Sequence, residues 1–177
     1  MSSYSPASRK APSPAPSFIS RSYLLLLALT VTSLAACSLS ATPASSQYQL
    51  YLRYLPVIQS DSATLQASTA IVAITCAQIS SLSLAQLHSC AAAFDQVTLA
   101  SNKFTADLNA HPAPDCLKPE DQILRTSLLA LATASSAASL AITNGASLPS
   151  LSDAVTQFNA AQHAFATALL ALKSAKC

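Results

Sequence analysis

Cysteine is the residue type with the widest chemical capacity in this chain, since a thiol can form a disulfide, bind a metal or act as a nucleophile. The 177-residue sequence contains five cysteines: Cys37, Cys76, Cys90, Cys116 and Cys177. No two of them have the Cys-x-x-Cys spacing of zinc ribbons and redox sites, and the C-x-x-C-H motif for covalent haem is also absent. The spacing therefore favours disulfides over a metal centre.

The other ionisable residues give little support for catalysis or for a cofactor. Glu120 is the only glutamate, whereas a di-iron carboxylate site needs several glutamates and two Glu-x-x-His pairs. We interpret the three histidines as surface or boundary residues, with a shared metal site as the alternative: His88, His111 and His163. A nucleophile pair of Cys116 with His111 is a further alternative, but no third group is evident. We predict no catalytic residue, no cofactor and no metal site.

An uncharged apolar stretch precedes the first cysteine. Residues 23–36 include four consecutive leucines and follow the basic residues Arg9, Lys10 and Arg21. A bilayer span needs about 20 apolar residues, so this stretch is short for a span and suits the hydrophobic region of a secretory signal. It ends in Leu34-Ala35-Ala36-Cys37. The small residues before Cys37 are those that a signal peptidase requires.

The sequence of residues 18–37 resembles the lipobox region of bacterial lipoprotein precursors. This resemblance implies that Cys37 receives a diacylglycerol and that residues 1–36 are removed as a signal peptide. Two or more acyl chains, palmitate among them, would then give stable membrane anchoring. The alternatives are a plain signal peptide, with Cys37 as an ordinary disulfide cysteine, and an uncleaved signal anchor. Residues 37–46 are small and polar, and we predict a flexible tether there.

The composition after the signal excludes several classes of protein. Three of the nine Lys and Arg residues precede Cys37, so the rest of the chain contains six basic residues and all seven acidic residues. No basic run is left to follow phosphates, which argues against nucleic acid as a partner. Gly145 is the only glycine, which is hard to reconcile with hairpins or a nucleotide-binding loop. We therefore predict an all-α fold.

Apolar residues spaced by threes and fours predict four helices at about residues 47–78, 83–110, 119–144 and 150–176. The predicted apolar seams of the first three helices are, in order, Tyr51, Leu55, Ile58, Leu65, Val72 and Cys76; Leu87, Cys90, Phe94, Val97, Ser101, Phe104 and Leu108; and Leu124, Leu128, Leu131, Ser135, Ala138 and Ile142. Pro56 either lies in the first turn of a helix that begins near Leu55 or interrupts a longer helix. Ser83 and Gln86 form a capping-box pattern, and Gly145 is typical of a helix end. Ser150, with Asp153 three residues on, is the predicted cap of the last helix.

Equal helix lengths and short connections predict an up-down-up-down four-helix bundle over residues 47–177. In an exported chain, the four cysteines after Cys37 are an even number and indicate two disulfides. In this topology helix 1 ends and helix 2 begins at one end of the bundle, which places Cys76 and Cys90 there. The connection between helices 2 and 3 and the end of helix 4 lie at the other end, which places Cys116 and Cys177 there. Only the pairs Cys76–Cys90 and Cys116–Cys177 avoid crossing the long axis.

Two further patterns invite interpretation. Gln162 interrupts the apolar seam of the last helix and could face Ser62, Ser101 or Ser135 in a buried polar layer that fixes helix register, or could line a ligand cavity. The three tyrosines of the mature chain all lie near the anchor: Tyr48, Tyr51 and Tyr54. We interpret them as packing at the bundle end, with contact to a membrane interface or a partner as the alternative.

These observations predict an extracytoplasmic protein, lipid-anchored through Cys37 to the cell membrane or outer membrane of a bacterium. The expected role is a structural or interaction module for an unknown envelope protein partner. The alternative is a small-ligand or metal carrier that uses the bundle core. An enzyme is not expected, because acid–base groups are few and scattered.

Overall fold

The structure is a computed structural model that describes residues 46–77 and 79–176. Within these residues it is helical and contains no strand, which confirms the all-α prediction. The four long helices are α1 (Ser46–Thr75), α2 (Leu84–Ala110), α3 (Lys118–Thr143) and α4 (Leu148–Ser174). The predicted signal peptide, Cys37, the predicted tether as far as residue 45, Gln78 and Cys177 lie outside the described residues.

The helix ends follow local sequence signals with one exception. Ser83 and Gln86 form the predicted capping box at the start of α2. Gly145 ends α3 with a φ of 62°, and the Ala146 N–H donates to the Ala141 carbonyl across the turn. The predicted cap at Ser150 is wrong, because α4 begins earlier, at Leu148. Pro149 lies in its first turn, where the fixed φ of proline suits a helix and no N–H is needed.

Helix α1 runs through Pro56 rather than beginning there. Proline has no N–H, so the Leu52 carbonyl lacks its usual helical donor. Leu52 and Pro56 are both exposed, and water can reach this side of the helix. The predicted end at residue 78 is three residues late, since α1 stops at Thr75 and a 3-10 turn follows at Ile79–Ser81.

Consecutive helices are antiparallel and pack on one another in chain order. Lys103 of α2 reaches Asp61 of α1, and Thr98 of α2 lies beside Ala132 of α3. Two edge-to-face aromatic pairs join α2 to α4, with ring centroids 5.0 Å apart for Phe94–Phe158 and 6.3 Å apart for Phe104–Phe165. By contrast, α1 and α4 make few close backbone approaches. Close backbone packing in the bundle is therefore mainly between consecutive helices.

The predicted apolar seams of α2 and α3 are buried almost throughout, but the seam of α1 differs from the prediction. We expected Tyr51 and Leu55 at its start, and both are only half-buried. Tyr54 takes that place and is 1% exposed. Its ring fills the core while its hydroxyl finds an acceptor on α3, which a tyrosine in the core requires.

The predicted polar layer around Gln162 is wrong. Gln162 is half-buried, and Ala161 beside it faces the core. The hydroxyls of Ser101 and Ser135 donate instead to carbonyls four residues back in their own helices, at 2.8 and 2.7 Å. These serines are therefore small core residues whose hydroxyl hydrogen bonds are formed within their own helix.

Exposed hydroxyls on the flanks of the bundle behave in the same way. Thr126, Thr133 and Thr156 each donate to the carbonyl four residues back, at 2.8 to 3.0 Å. Thr64 and Thr167 repeat the arrangement on α1 and α4. The flanks thus carry polar residues whose hydroxyl donors are already engaged with the backbone.

A disulfide joins Cys76, just after α1, to Cys90 in the second turn of α2, with a Cα–Cα distance of 5.2 Å. This is the pair expected from the shared ends of alternate helices. The two cysteines sit unequally about the turn, because Cys76 directly follows the end of α1 whereas Cys90 is the seventh residue of α2.

Candidate functional site

The two ends of the bundle differ in chemistry and are the candidate functional surfaces. We call the end where α1 and α3 begin and α2 and α4 finish the charged pole. The opposite end, where α1 and α3 finish, is the apolar pole. Since α1 begins at Ser46, the polypeptide that leads back to Cys37 enters at the charged pole.

A buried polar network ties three helices together near the charged pole. The Tyr54 hydroxyl of α1 donates to one carboxylate oxygen of Asp121 on α3, at 2.8 Å. The other oxygen accepts a 2.5 Å hydrogen bond from Nε of Arg125, one helical turn further along α3. Burial, followed by the hydrogen bond to Asp121, raises the pKa of Tyr54 well above its usual range, so the phenol stays protonated as a donor.

Arg125 carries the network onward to the end of α2. Its guanidinium donates to the Leu108 carbonyl at 2.8 Å and to the side-chain carbonyl of Asn109. Carbonyls in the last turn of a helix have no partner within the helix, and a cation there also suits the helix dipole. One arginine therefore caps α2 while it neutralises the buried carboxylate of Asp121.

The first turn of α1 is held to the connection between α2 and α3. The side chain of Gln47 donates to the Asp115 carboxylate at 2.9 Å and accepts from the Asp115 N–H at 2.8 Å. Lys118 forms an ion pair with the same carboxylate at 2.6 Å. This contact fixes the start of α1 at the exposed rim of the charged pole.

A second ionic cluster lies further along the interface between α1 and α2. Nζ of Lys103 is 3.2 Å from one oxygen of Asp61 and also pairs with Asp107. The Asp61 side chain is 8% exposed, and its second oxygen has no hydrogen-bond partner among the described residues. Burial raises the pKa of Asp61, and the nearby Asp107 carboxylate raises it further, while Lys103 opposes both effects. The ionised carboxylate of Asp61 therefore destabilises the folded protein.

All the cations of the described residues lie towards the charged pole. Each falls within eight residues of its helix end at that pole, or roughly 12 Å along the axis; they are Arg53, Lys103, Lys118, Arg125, Lys173 and Lys176. Beyond that zone the described bundle carries three charged residues, all of them acidic: the buried Asp61 midway along α1, and the exposed Asp95 and Asp153. The rod is therefore electrically asymmetric from end to end.

The apolar pole shows the opposite pattern. Five large aliphatic side chains are exposed within five residues of the helix ends there: Ile71, Ile74, Leu84, Leu140 and Leu148. Ile74, at 79%, and Leu84, at 73%, are the most exposed of the large apolar residues, and they flank the Cys76–Cys90 disulfide. An exposed apolar group in a zone with few charges is typical of a contact surface.

The residues singled out in the sequence are not gathered into one site. His88 and His163 are exposed on different helices, and His111 is half-buried with Nδ1 2.9 Å from the Asp107 carbonyl. Cys116 is exposed and disulfide-bonded, so its thiol is not free to act as a nucleophile. Its expected partner, Cys177, lies outside the described residues, and the Cys116–Cys177 pair stays a prediction.

Within residues 46–77 and 79–176, no group of three or more His, Cys, Asp or Glu residues is placed to hold a metal ion. Asp115–Thr143, which contains α3, is long and apolar enough by length and composition to cross a membrane. Half of its most apolar window is buried inside the bundle, as expected of a core helix.

Sequence reasoning missed the Tyr54–Asp121–Arg125 network. Asp121 and Arg125 do have the i, i+4 spacing of a helical ion pair, which was the available signal. Comparison of the chain with protein-family models, with curated proteins and with solved structures gives no match. The function is therefore inferred from the side chains of this protein and their arrangement.

Proposed function

We propose that the protein is a lipid-anchored module of the bacterial cell envelope, attached through Cys37 to the extracytoplasmic side of the cell membrane or outer membrane. Its helical bundle would hold the apolar pole away from the anchor as a contact surface for an envelope protein. The observation that carries this proposal is the separation of exposed side chains along the rod. Basic residues collect where the tether enters, and the two most exposed aliphatic residues, Ile74 and Leu84, lie at the opposite end, where no lysine or arginine is present among the described residues.

The anchoring part of the proposal is supported by the sequence before Ser46. An uncharged stretch, basic residues upstream, small residues and then Cys37 make up the pattern of a lipoprotein precursor. The Cys76–Cys90 disulfide is consistent with this location, since disulfides persist in oxidising compartments outside the cytoplasm. We also propose that Cys116 and Cys177 form a second disulfide at the charged pole.

The contact role is supported by side-chain composition. Interface centres are depleted in charged residues and enriched in apolar ones. Ile74 and Leu84 project beside the disulfide, in the half of the described bundle that contains no lysine or arginine. The partner expected at such a surface is a protein with an apolar, weakly charged patch, and nucleic acid is not expected.

A carrier or an enzyme has less support. The axis of the bundle is filled by large buried side chains, Phe94, Phe104, Leu124 and Leu128 among them. A core ligand would have to displace these close contacts. The buried acids Asp61 and Asp121 are each engaged with a cation rather than directed at a cleft.

Anchoring can be tested in bacteria that express the full chain. Labelling with a palmitate analogue is expected to mark the parent protein, and Cys37→Ala is expected to lose both the label and the membrane fraction. Ser38→Ala is the matched control, since it changes the neighbouring residue and leaves the thiol. Equal labelling of the parent and Cys37→Ala would disprove lipidation at this residue.

The contact role needs a separate test. In membranes, a photo-reactive amino acid at position 74 or 84 is expected to give a discrete crosslinked product. The same probe at position 129 is the control, because Leu129 is also highly exposed but lies midway along α3. Products that are identical from all three positions would show that the apolar pole has no special role.

A further inference from the structure

The charged pole offers more than an attachment point, because its exposed charge is predominantly positive. Five of its cations are exposed: Arg53, Lys103, Lys118, Lys173 and Lys176. Among the acids of this half, only Asp115 is exposed. Asp107 and Glu120 are half-buried, and Asp61 and Asp121 are buried. A surface that approaches this end therefore meets lysine and arginine first.

The length of the tether fixes what that surface can be. Ser46 follows Cys37 by nine residues, which span at most roughly 30 Å when fully extended. A lipid on Cys37 would keep the charged pole within that distance of the headgroups. The 27-residue α4 places the apolar pole about 40 Å further along the axis. Headgroups are thus the surface that this pole meets most often.

We propose that the charged pole seats on anionic lipid headgroups, so that the bundle stands on the membrane with its apolar pole directed outward. This proposal rests on the proposed anchoring at Cys37 and adds an orientation to it. Lys118 begins α3 and Lys173 lies in the last turn of α4, so both are at the extreme end of the rod, together with Lys176. Flexible ammonium groups at a helix end can reach phosphate while the helix stays rigid.

Electrostatic attraction is strong enough to select this orientation. Each lysine or arginine near an anionic leaflet contributes up to about fivefold to membrane association. The contribution is smaller for a lysine that is already paired with an acid, as Lys118 is with Asp115. The opposite pole has no lysine or arginine among the described residues, and its Asp153 would be repelled. A rod with one attracted end and one repelled end stands upright while the tether holds it near the surface.

The test uses the mature lipidated protein in vesicles, with a fluorescent amino acid in place of Leu148 and acceptor dye on the headgroups. On vesicles containing about one-third anionic lipid, energy transfer is expected to be low, because the donor stands far from the surface. On zwitterionic vesicles the tethered rod can tilt, and transfer is expected to rise. High salt is expected to produce the same rise on anionic vesicles, since exposed charges are screened.

The variant that removes the lysines (Lys118→Gln, Lys173→Gln and Lys176→Gln) is expected to show high transfer on both kinds of vesicle. Asp95→Asn with Asp153→Asn is the matched control, since it removes charge from the other half, and it should behave like the parent. The circular dichroism of both variants should match that of the parent, because all the substituted residues are exposed. Equal transfer on anionic and zwitterionic vesicles for the parent protein would overturn the proposed orientation.

Flotation of the same samples separates this proposal from the anchoring. If the protein floats with vesicles in high salt but its energy transfer does not depend on lipid charge, the anchoring is supported and the proposed orientation is excluded. If the protein floats only with anionic vesicles at low salt, binding of the charged pole to headgroups is supported and the lipid anchor is excluded. Protein that floats under no condition would overturn both.

Discussion

The two poles of the bundle hold α1 to its neighbours by different means. At the charged pole, noncovalent contacts do so: Tyr54 bonds to Asp121, and Gln47 bonds to Asp115. At the apolar pole, the Cys76–Cys90 disulfide does so. A polar network fixes geometry only when every partner is in place, whereas a covalent bond holds regardless of its surroundings. The apolar pole can therefore expose aliphatic side chains without depending on them for closure.

Helix α1 needs both the polar contacts at one end and the disulfide at the other because of how it packs. This helix makes few close approaches to α4, so much of its packing is against α2. A helix packed mainly on one neighbour buries less apolar surface than a helix between two. Attachment at both ends of α1 compensates for its weaker packing towards α4.

The largest expected effect concerns the polar network. Asp121→Ala would leave the guanidinium of Arg125 and the hydroxyl of Tyr54 without their shared acceptor. We expect a loss of about 4 kcal/mol in unfolding free energy, from about 3 for the broken ion pair and about 1 for the hydroxyl. Urea unfolding would measure it. Asp115→Ala is the control at the same pole, and because this residue is exposed its cost should be about 1 kcal/mol or less. Similar losses in both variants would mean that burial of Asp121 is not decisive.

The disulfide has the next largest effect. Cys76→Ala with Cys90→Ala is expected to lower the unfolding free energy by about 3 kcal/mol, because the unfolded chain regains the freedom of a closed loop of about 15 residues. Amide hydrogen exchange would locate the change. Exchange should accelerate at the end of α1 near Val72 and much less near Tyr54. Ser89→Ala, next to Cys90 and exposed, should change little. Uniform acceleration along α1 would show that the poles are not independent.

A smaller effect, of opposite sign, is expected at Asp61. Since burial raises its pKa in the folded protein, the ionised carboxylate costs stability at neutral pH. Asp61→Asn is therefore expected to stabilise the protein by about 1 kcal/mol at pH 7, the cost of one unsatisfied buried acceptor. The gain should shrink as the pH falls through the raised pKa towards about 4, because the parent carboxyl then becomes neutral as well. Chemical unfolding at several pH values would measure both trends.

Asp95→Asn is the matched control for that experiment, since Asp95 is exposed on α2. Its effect on stability should be small at every pH. A gain for Asp61→Asn that does not depend on pH would indicate that packing, rather than ionisation, limits stability at this position.

The smallest expected effect on stability lies at the apolar pole. Ile74→Ser and Leu84→Ser should each change the unfolding free energy by less than about 0.5 kcal/mol, because both side chains are already in water. Thermal unfolding would check this. Leu65→Ala in the core is the contrasting variant and should cost about 3 kcal/mol. A large loss at Ile74 or Leu84 would place that residue in the fold rather than at a contact surface.

Much of the fold could be predicted from the sequence because it depends on local patterns. The spacing of Phe94, Phe104 and Leu108 predicts the buried side of α2 correctly, and the Ser83 capping box predicts its start within one residue. The Cys76–Cys90 pair follows from helix order and chain length. Each of these inferences uses neighbouring residues or simple topology.

The features that escaped prediction depend on distant residues. Tyr54 and Asp121 are 67 positions apart, and neither residue alone indicates that the other is its partner. The register of α1 was misjudged because the residues from Tyr51 to Leu55 offer more than one apolar seam, and tertiary contacts select Tyr54. Gln162 was misjudged for a related reason, since the neighbouring Ala161 is the residue that packing buries.

The flanks of the bundle have a consequence for how molecules share a membrane. Their exposed threonines donate to carbonyls of their own helices, and few ionised groups interrupt them. Repulsion between rods standing side by side scales with the charge on their facing sides. In the half of the rod beyond the charged pole, neighbouring copies would therefore have little electrostatic reason to keep apart. If the protein is anchored as proposed, repulsion between copies would be concentrated at the level of the lysines near the membrane, where salt screens it.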